Sequence, residues 1–183
     1  MTYHNYPKEK FQQGEYDSCT FIECDLSYVD FSSSQFLDCK FEHCDISNAT
    51  LINTTLSGIT FQDCKMLGLH FEHINSLGFS ITFKKCQLSY SSFFKLKLKN
   101  TLFEETQLQE VDFSSANLAN AKFDDCDLAR TLFNDTNLQG ADFSRAYNYT
   151  IDPSENLIKQ AKFSLIGLPG LLRQYDINID LDI

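Results

Sequence analysis

The sequence predicts an all-β solenoid, and three observations carry that prediction. Large apolar residues recur every five positions along most of the 183-residue chain. A small or β-branched residue stands two places before most of them, and all seven cysteines occupy that place. Phe reaches 17 residues while Trp is absent and Gly and Pro number only seven and three, so one structural position is being filled again and again.

The apolar centres run through Phe21, Leu26, Phe31, Phe36, Phe41, Ile46, Leu51, Leu56, Phe61, Met66 and Phe71. The pattern then slips by two residues and resumes at Phe83, Leu88, Phe93, Leu98 and Phe103, continuing to Phe143. Five helical steps rotate about 500°, which smears the centres around a helix. An odd period also flips a side chain to the other face of a continuous strand at each repeat. The consistent solution is a short extended segment, with the centre and the residue two before it both pointing inward, followed by a turn. Stacked coils of such segments have rungs ~4.8 Å apart.

Segments such as Ala116-Asn117-Leu118, Cys126-Asp127-Leu128 and Ala141-Asp142-Phe143 resemble the A(D/N)Lxx motif of pentapeptide-repeat proteins. The resemblance covers residues 14 to 150 and implies a right-handed quadrilateral β-helix with four repeats per coil. Positions twenty apart then stack, and the two-residue insertion leaves the faces unchanged. One column becomes Phe21, Phe41, Phe61, Phe83, Phe103, Phe123 and Phe143. Opposite it stand Phe31, Leu51, Phe71, Phe93, Phe113 and Phe133, with Leu dominating the other two faces of the second half. The cysteines fall near the corners as packing residues. About six and a half coils would make a rod of ~30 Å.

A solenoid needs caps, because its end rungs expose apolar side chains and strand edges. Residues 1–13 are expected to cap one end, residues 14–150 to form the β-helix with a register break at 72–82, and residues 151–183 to cap the other end and dimerise. Gly167 to Tyr175 reads as a short helix with Pro near its start, and alternating Ile177, Ile179 and Leu181 read as a final strand. Leu168, Leu171, Leu172, Tyr175, Ile177 and Ile179 are too apolar for a tail that covers one rung. They are expected to form a two-fold homodimer contact.

The segment Cys64-Lys-Met-Leu-Gly-Leu-His-Phe71, just before the break, resembles the CxMLGxxF stretch that joins the two solenoid halves of the Qnr and MfpA proteins. Asn148-Tyr-Thr-Ile-Asp-Pro153 and the chain ending are similar to that subgroup as well. The resemblance implies a protein that binds a type II topoisomerase, DNA gyrase or topoisomerase IV, by imitating DNA, in many cases shielding it from quinolones or toxins. The long loops that interrupt many Qnr rods are missing between Phe83 and Phe143, which leaves protection and simple inhibition both open.

The net charge of −10 and pI near 4.7 argue against direct nucleic-acid binding, which needs Lys and Arg to replace counterions. No stretch is apolar enough to cross a bilayer and no leader-like segment begins the chain, so a cytoplasmic protein is expected. The odd cysteine count fits a reducing compartment. No catalytic, cofactor or metal constellation survives the repeat geometry. Glu104/Glu105 and Asp124/Asp125 read as a solvated face, and Cys44 and Cys64 point inward, away from His43, His70 and His73.

The surface charges then carry the functional information. The all-Phe face bears Glu23, Glu42, Asp63, Glu104, Glu105, Asp124, Asp125 and Asp142, with Asp25, Asp45 and Asp127 just around the corner. One carboxylate per ~4.8 Å rung approaches the phosphate spacing of ~3.4 Å along a DNA strand. Lys84 and Lys85 interrupt the stripe, and Lys95, Lys97 and Lys99 make the middle of the rod basic. Two readings follow: a non-enzymatic DNA mimic that binds and modulates a topoisomerase, or a solenoid scaffold with an unrelated protein partner.

Overall fold

Five-residue segments close into a square coil because each ends on a residue in the left-handed region. In a computed structural model, which describes residues 1–180, Glu23, Tyr28, Ser33 and Asp38 have φ of 55°, 60°, 61° and 49° and mark the four corners of one coil. The pattern repeats in nearly every later coil, with Gly58, Gly68, Gly78 and Gly140 at equivalent corners. Asn, Asp and Ser supply many of the others, and no β-branched residue appears among them. A second substituent on Cβ clashes in that region, whereas Asn and Asp tolerate it.

The first face is a sheet of nine parallel strands. In chain order along it come β1 (Thr2–His4), β3 (Thr20–Ile22), β5 (Lys40–Glu42), β7 (Ile59–Gln62), β8 (Ile81–Lys84), β9 (Leu102–Glu104), β10 (Lys122–Asp124), β11 (Asp142–Phe143) and β12 (Lys162–Phe163). The fourth face carries β2 (Glu15–Asp17), β4 (Gln35–Leu37) and β6 (Thr55–Ser57) in the first coils. Elsewhere single bridges, such as Gln87↔Gln107 on the second face and Ser92↔Asp112 on the third, hold the rungs in register.

Inside, both predicted Phe columns form ladders whose neighbouring rings stack 4.4–5.8 Å apart. The two ladders meet edge to face, as at Phe83 and Phe93 with centroids 5.9 Å apart and planes at 81°. Such offset geometry suits aromatic quadrupoles. Tyr3 stacks on Phe21 at 4.8 Å and Phe163 on Phe143 at 5.4 Å, so the first ladder extends beyond the expected repeat at both ends. From Tyr3 to Phe163 the rod measures roughly 40 Å at ~4.8 Å per rung.

Two local devices explain the residue types around each centre. Where an Asp or Asn precedes the centre, it accepts the backbone N–H two residues on. The Ser27 amide donates to Asp25 Oδ1 at 3.1 Å, Ser114 to Asp112 at 2.8 Å and Ala119 to Asn117 at 3.1 Å. These Asx turns stabilise the approach to the corner. Two places before the centre, the side chain often donates back to a carbonyl of the preceding coil. The Cys44, Cys64 and Cys126 thiols donate to the carbonyls of Phe21, Phe41 and Phe103 at 3.4 Å, as the Thr54 hydroxyl does to Phe31 at 2.9 Å. The cysteines are therefore more than fillers, since each of these three satisfies a buried acceptor between rungs.

The register break sits on the fourth face. Thr55 still pairs with Asn75, but Ile59 pairs with Ile81, and across this one step the partners on the next faces are also 22 apart, as in Lys65↔Gln87 and His70↔Ser92, before the spacing of twenty resumes. The extra residues bulge outward with Leu77 81% exposed, while Phe79 packs partly against the core. The first-face ladder absorbs the bulge by a wider step, 5.8 Å between Phe61 and Phe83.

The C-terminal segment differs from its sequence-based expectation. The short helix is two 3₁₀ turns, Leu168–Leu171 and Arg173–Tyr175, separated at Leu172 and closed by left-handed Asp176. Pro169 stands in the first of these turns, and Gly170 packs so closely on the rod that an added Cβ would lie 2.3 Å from the Tyr149 carbonyl oxygen. Ile177 and Ile179 form no strand; Leu181 lies outside the described residues.

Two outcomes follow from this construction. Tyr28→Val should cost more than about 1 kcal/mol in urea unfolding, whereas Tyr28→Asn should be close to neutral, because only the first adds a β-branch at positive φ. All seven thiols are buried, and burial pushes Cys39 up to about 11 and Cys126 up to about 12. Ellman's reagent at pH 8 should therefore find almost no reactive thiol in the native chain and all seven in guanidinium; prompt reaction of several thiols in the native chain would contradict this packing.

Candidate partner-binding surface

The coil geometry places the predicted acidic residues in two blocks. Glu23, Asp25, Glu42, Asp45 and Asp63 lie on the first three full coils, on the first face and its corner with the second. Glu104, Glu105, Asp124, Asp125, Asp127 and Asp142 lie on three consecutive later coils, with Glu104 directly in register with Asp124. Between the blocks stand Lys65, Lys84 and Lys85.

These carboxylates are not all free. Lys65 reaches back to Asp45 at 3.1 Å, and Lys84 and Lys85 reach forward to Glu104 and Glu105 at 3.4 and 3.7 Å. Lys122 pairs with Asp124 at 2.8 Å, Arg145 bridges Asp124 at 3.2 Å and Asp125, and Lys162 meets Asp142 at 3.6 Å. Lys40 pairs with Glu42, and Lys8 with Asp25 at 3.4 Å. Among the described residues, Glu23, Asp63 and Asp127 have no cationic partner. Asp127 instead accepts the Gln109 and Asn148 amides at 2.7 and 2.8 Å. A count of acids along the chain misses this neutralisation, because most of the cations come from twenty residues away; the twenty-residue period was the signal that could have exposed it.

Some of the acids also build the fold. The Ser27 hydroxyl and amide hold the Asp25 carboxyl below its ordinary value, and the Ser144 hydroxyl does the same for Asp142. Both carboxylates therefore favour folding above their unfolded values and lose that contribution as the pH falls through their folded ones.

The residues assigned to dimerisation separate into two sets. Leu171 is buried against the end of the rod within one chain, and Leu172 is half-buried. Leu168, Tyr175, Ile177 and Ile179 remain exposed, joined by Leu165 and Ile166 at 72% and 73%, which the sequence pattern did not single out. Among the described residues no three His, Cys, Asp or Glu side chains are grouped to hold a metal, and no helix is long and apolar enough to cross a membrane.

Residues 15–80 and 78–143 match the pentapeptide repeat region family. No curated protein matches the sequence. Among solved structures, a trypsin-treated variant of QnrB1, a plasmid-mediated fluoroquinolone resistance protein, aligns with a TM-score of 0.69 at 17% identity, over 98% of this chain and 98% of that one. Full-length QnrB1 aligns with a TM-score of 0.65 at 17% identity, over 96% and 97%. At this identity the likeness is one of fold, and it spans the rod together with its C-terminal cap. With the two family matches covering most of the rod, the chain belongs to the pentapeptide-repeat family.

Proposed function

We propose that this chain is a non-enzymatic, cytoplasmic DNA mimic that docks its acidic first face into the DNA-binding groove of a type II topoisomerase, DNA gyrase or topoisomerase IV. The observation that carries the reading is the block of six carboxylates on three consecutive coils, with Glu104, Asp124 and Asp142 in the parallel sheet, Glu105 and Asp125 at its corner and Asp127 just beyond. The whole-length likeness to QnrB1 supports it at the level of fold. Exposed ion pairs contribute only ~0–1 kcal/mol each, so the lysines covering these carboxylates yield readily to a denser array of cations. The partner is a protein, and no cofactor takes part. Homodimerisation through Leu165, Ile166, Leu168, Tyr175, Ile177 and Ile179 would double the length of the acidic rod.

One observation favours the rival reading of a scaffold with an unrelated partner: the first face is largely self-neutralised by its own Lys and Arg. A supercoiling assay separates the two. The chain should alter gyrase activity, or preserve it against ciprofloxacin, and the combined variant Asp124→Lys/Asp125→Lys/Asp127→Asn should weaken gyrase binding at least tenfold. Asn at 127 retains the turn acceptor, and Asp135→Lys at a corner of the third face should leave binding unchanged. If the purified chain neither binds gyrase nor alters supercoiling, with or without drug, the mimic reading fails. Equal binding by the triple variant would point to a different docking face. Gel filtration should show a dimer that Ile166→Asp converts to monomer.

A further inference from the structure

The bulge at the register break leaves a notch of about 400 Å³ where the fourth face meets the first. Thr60, Ser80, Thr82, Lys97, Lys99, Asn100 and the buried Thr101 supply its polar lining, and none of the lining side chains is acidic. Thr60 and Thr82 are in-register neighbours on β7 and β8, and the Ser80 hydroxyl oxygen accepts the Gly58 amide at 2.7 Å, which leaves its own proton free to donate.

Lys97 and Lys99 flank the buried Leu98, so both ammonium groups project from the same face. Residues two apart on an extended segment are separated by about 6.8 Å. Among the described residues, seven other lysines lie within ion-pair distance of a carboxylate, as Lys65 of Asp45, Lys84 of Glu104 and Lys162 of Asp142, whereas Lys10, Lys95 and Lys159, like Lys97 and Lys99, do not. Lys97 faces Asn117 in the next rung, and Lys99 comes level with Ala119. Neither lysine joins an ion pair among the described residues, although the chain carries 25 acidic residues against 15 Lys and Arg. In so acidic a chain, two adjacent ammonium groups beside a hydroxyl-lined concavity without a carboxylate are poised for an external anion.

We infer that this notch binds a phosphoryl group, with Lys97 and Lys99 supplying charge and the Thr60, Ser80 and Thr82 hydroxyls donating to its oxygens. The chemistry is the same whether the group belongs to a free phosphate compound or to a phosphorylated side chain of a protein. The inference does not rest on gyrase binding: Thr60 and Thr82 belong to the first face, but Lys97 and Lys99 lie on the fourth and belong to neither acidic block.

Amide chemical shifts of the ¹⁵N-labelled full chain, titrated at low ionic strength with inorganic pyrophosphate and separately with a phosphoserine peptide, test it. Saturating shifts confined to Thr60, Ser80 to Thr82 and Lys97 to Asn100 are expected with at least one probe, and Lys97→Gln/Lys99→Gln should raise its Kd at least tenfold. Saturation by pyrophosphate marks a free phosphate ligand; saturation by the peptide alone marks a phosphorylated partner. The unphosphorylated peptide should give no shifts. The inference is overturned if neither probe saturates, or if the double variant, folded by circular dichroism, binds as well as the parent.

Discussion

The left-handed corner every fifth residue is the constraint on which everything else in this molecule rests. It turns an extended segment through a right angle before a second segment's worth of side chains can flip outward, and four such corners return the chain above itself. Once that happens, residues twenty apart are neighbours for the whole length of the rod, and the Phe ladders, the thiol-to-carbonyl bonds and the surface ion pairs all inherit the same spacing. The ladders reward the corners in return. Each buried Phe contributes ~2 kcal/mol or more of apolar burial, enough to offset the local cost of a positive φ at a residue other than glycine.

This dependence explains which features were legible in the sequence. The five-residue period, the identity of the two Phe columns and the survival of the faces across the insertion all follow from counting, because inward positions tolerate few residue types. Outward positions obey no such filter, so the pairing of Arg145 with Asp124 and Asp125 became visible only when the coil was closed. The cysteines illustrate an intermediate case. Their placement two before the centre was plain, yet their role as donors to the carbonyls of the preceding coil depends on a contact across a rung. The ends of the rod were unevenly legible: Ala161-Lys-Phe163 still echoes the repeat, whereas Tyr3 continues the ladder in a segment that the pattern does not reach. At the C-terminal cap, an apolar pattern suggests a helix and strand, and the chain instead forms two 3₁₀ turns packed closely on Tyr149 through Gly170.

The same geometry limits what the surface can do. A parallel stack fixes each outward side chain to within one rung, so a partner meets a rigid lattice of charges. The lattice has three zones: an acidic block at each end of the first face and a basic middle where Lys65, Lys84 and Lys85 sit. Cross-rung pairing lowers the field of the acidic zones without removing their carboxylates, although it leaves Asp124 largely covered, with Oδ1 buried.

Whether such a face attracts a cationic groove is decided by the difference between two sets of pairs. Each lysine on the rod holds its carboxylate through a single flexible ammonium group in high dielectric, where attraction at 4 Å amounts to about 1–4 kcal/mol before desolvation and side-chain entropy are subtracted. A groove built for DNA offers several cations at once, fixed in advance and partly shielded from water, so displacing the intramolecular lysines costs it less than each new contact contributes. The internal pairs then act as a filter. In the proposed mimic they would weaken attraction to isolated cations and to loosely basic surfaces, and favour an array whose spacing matches the rungs.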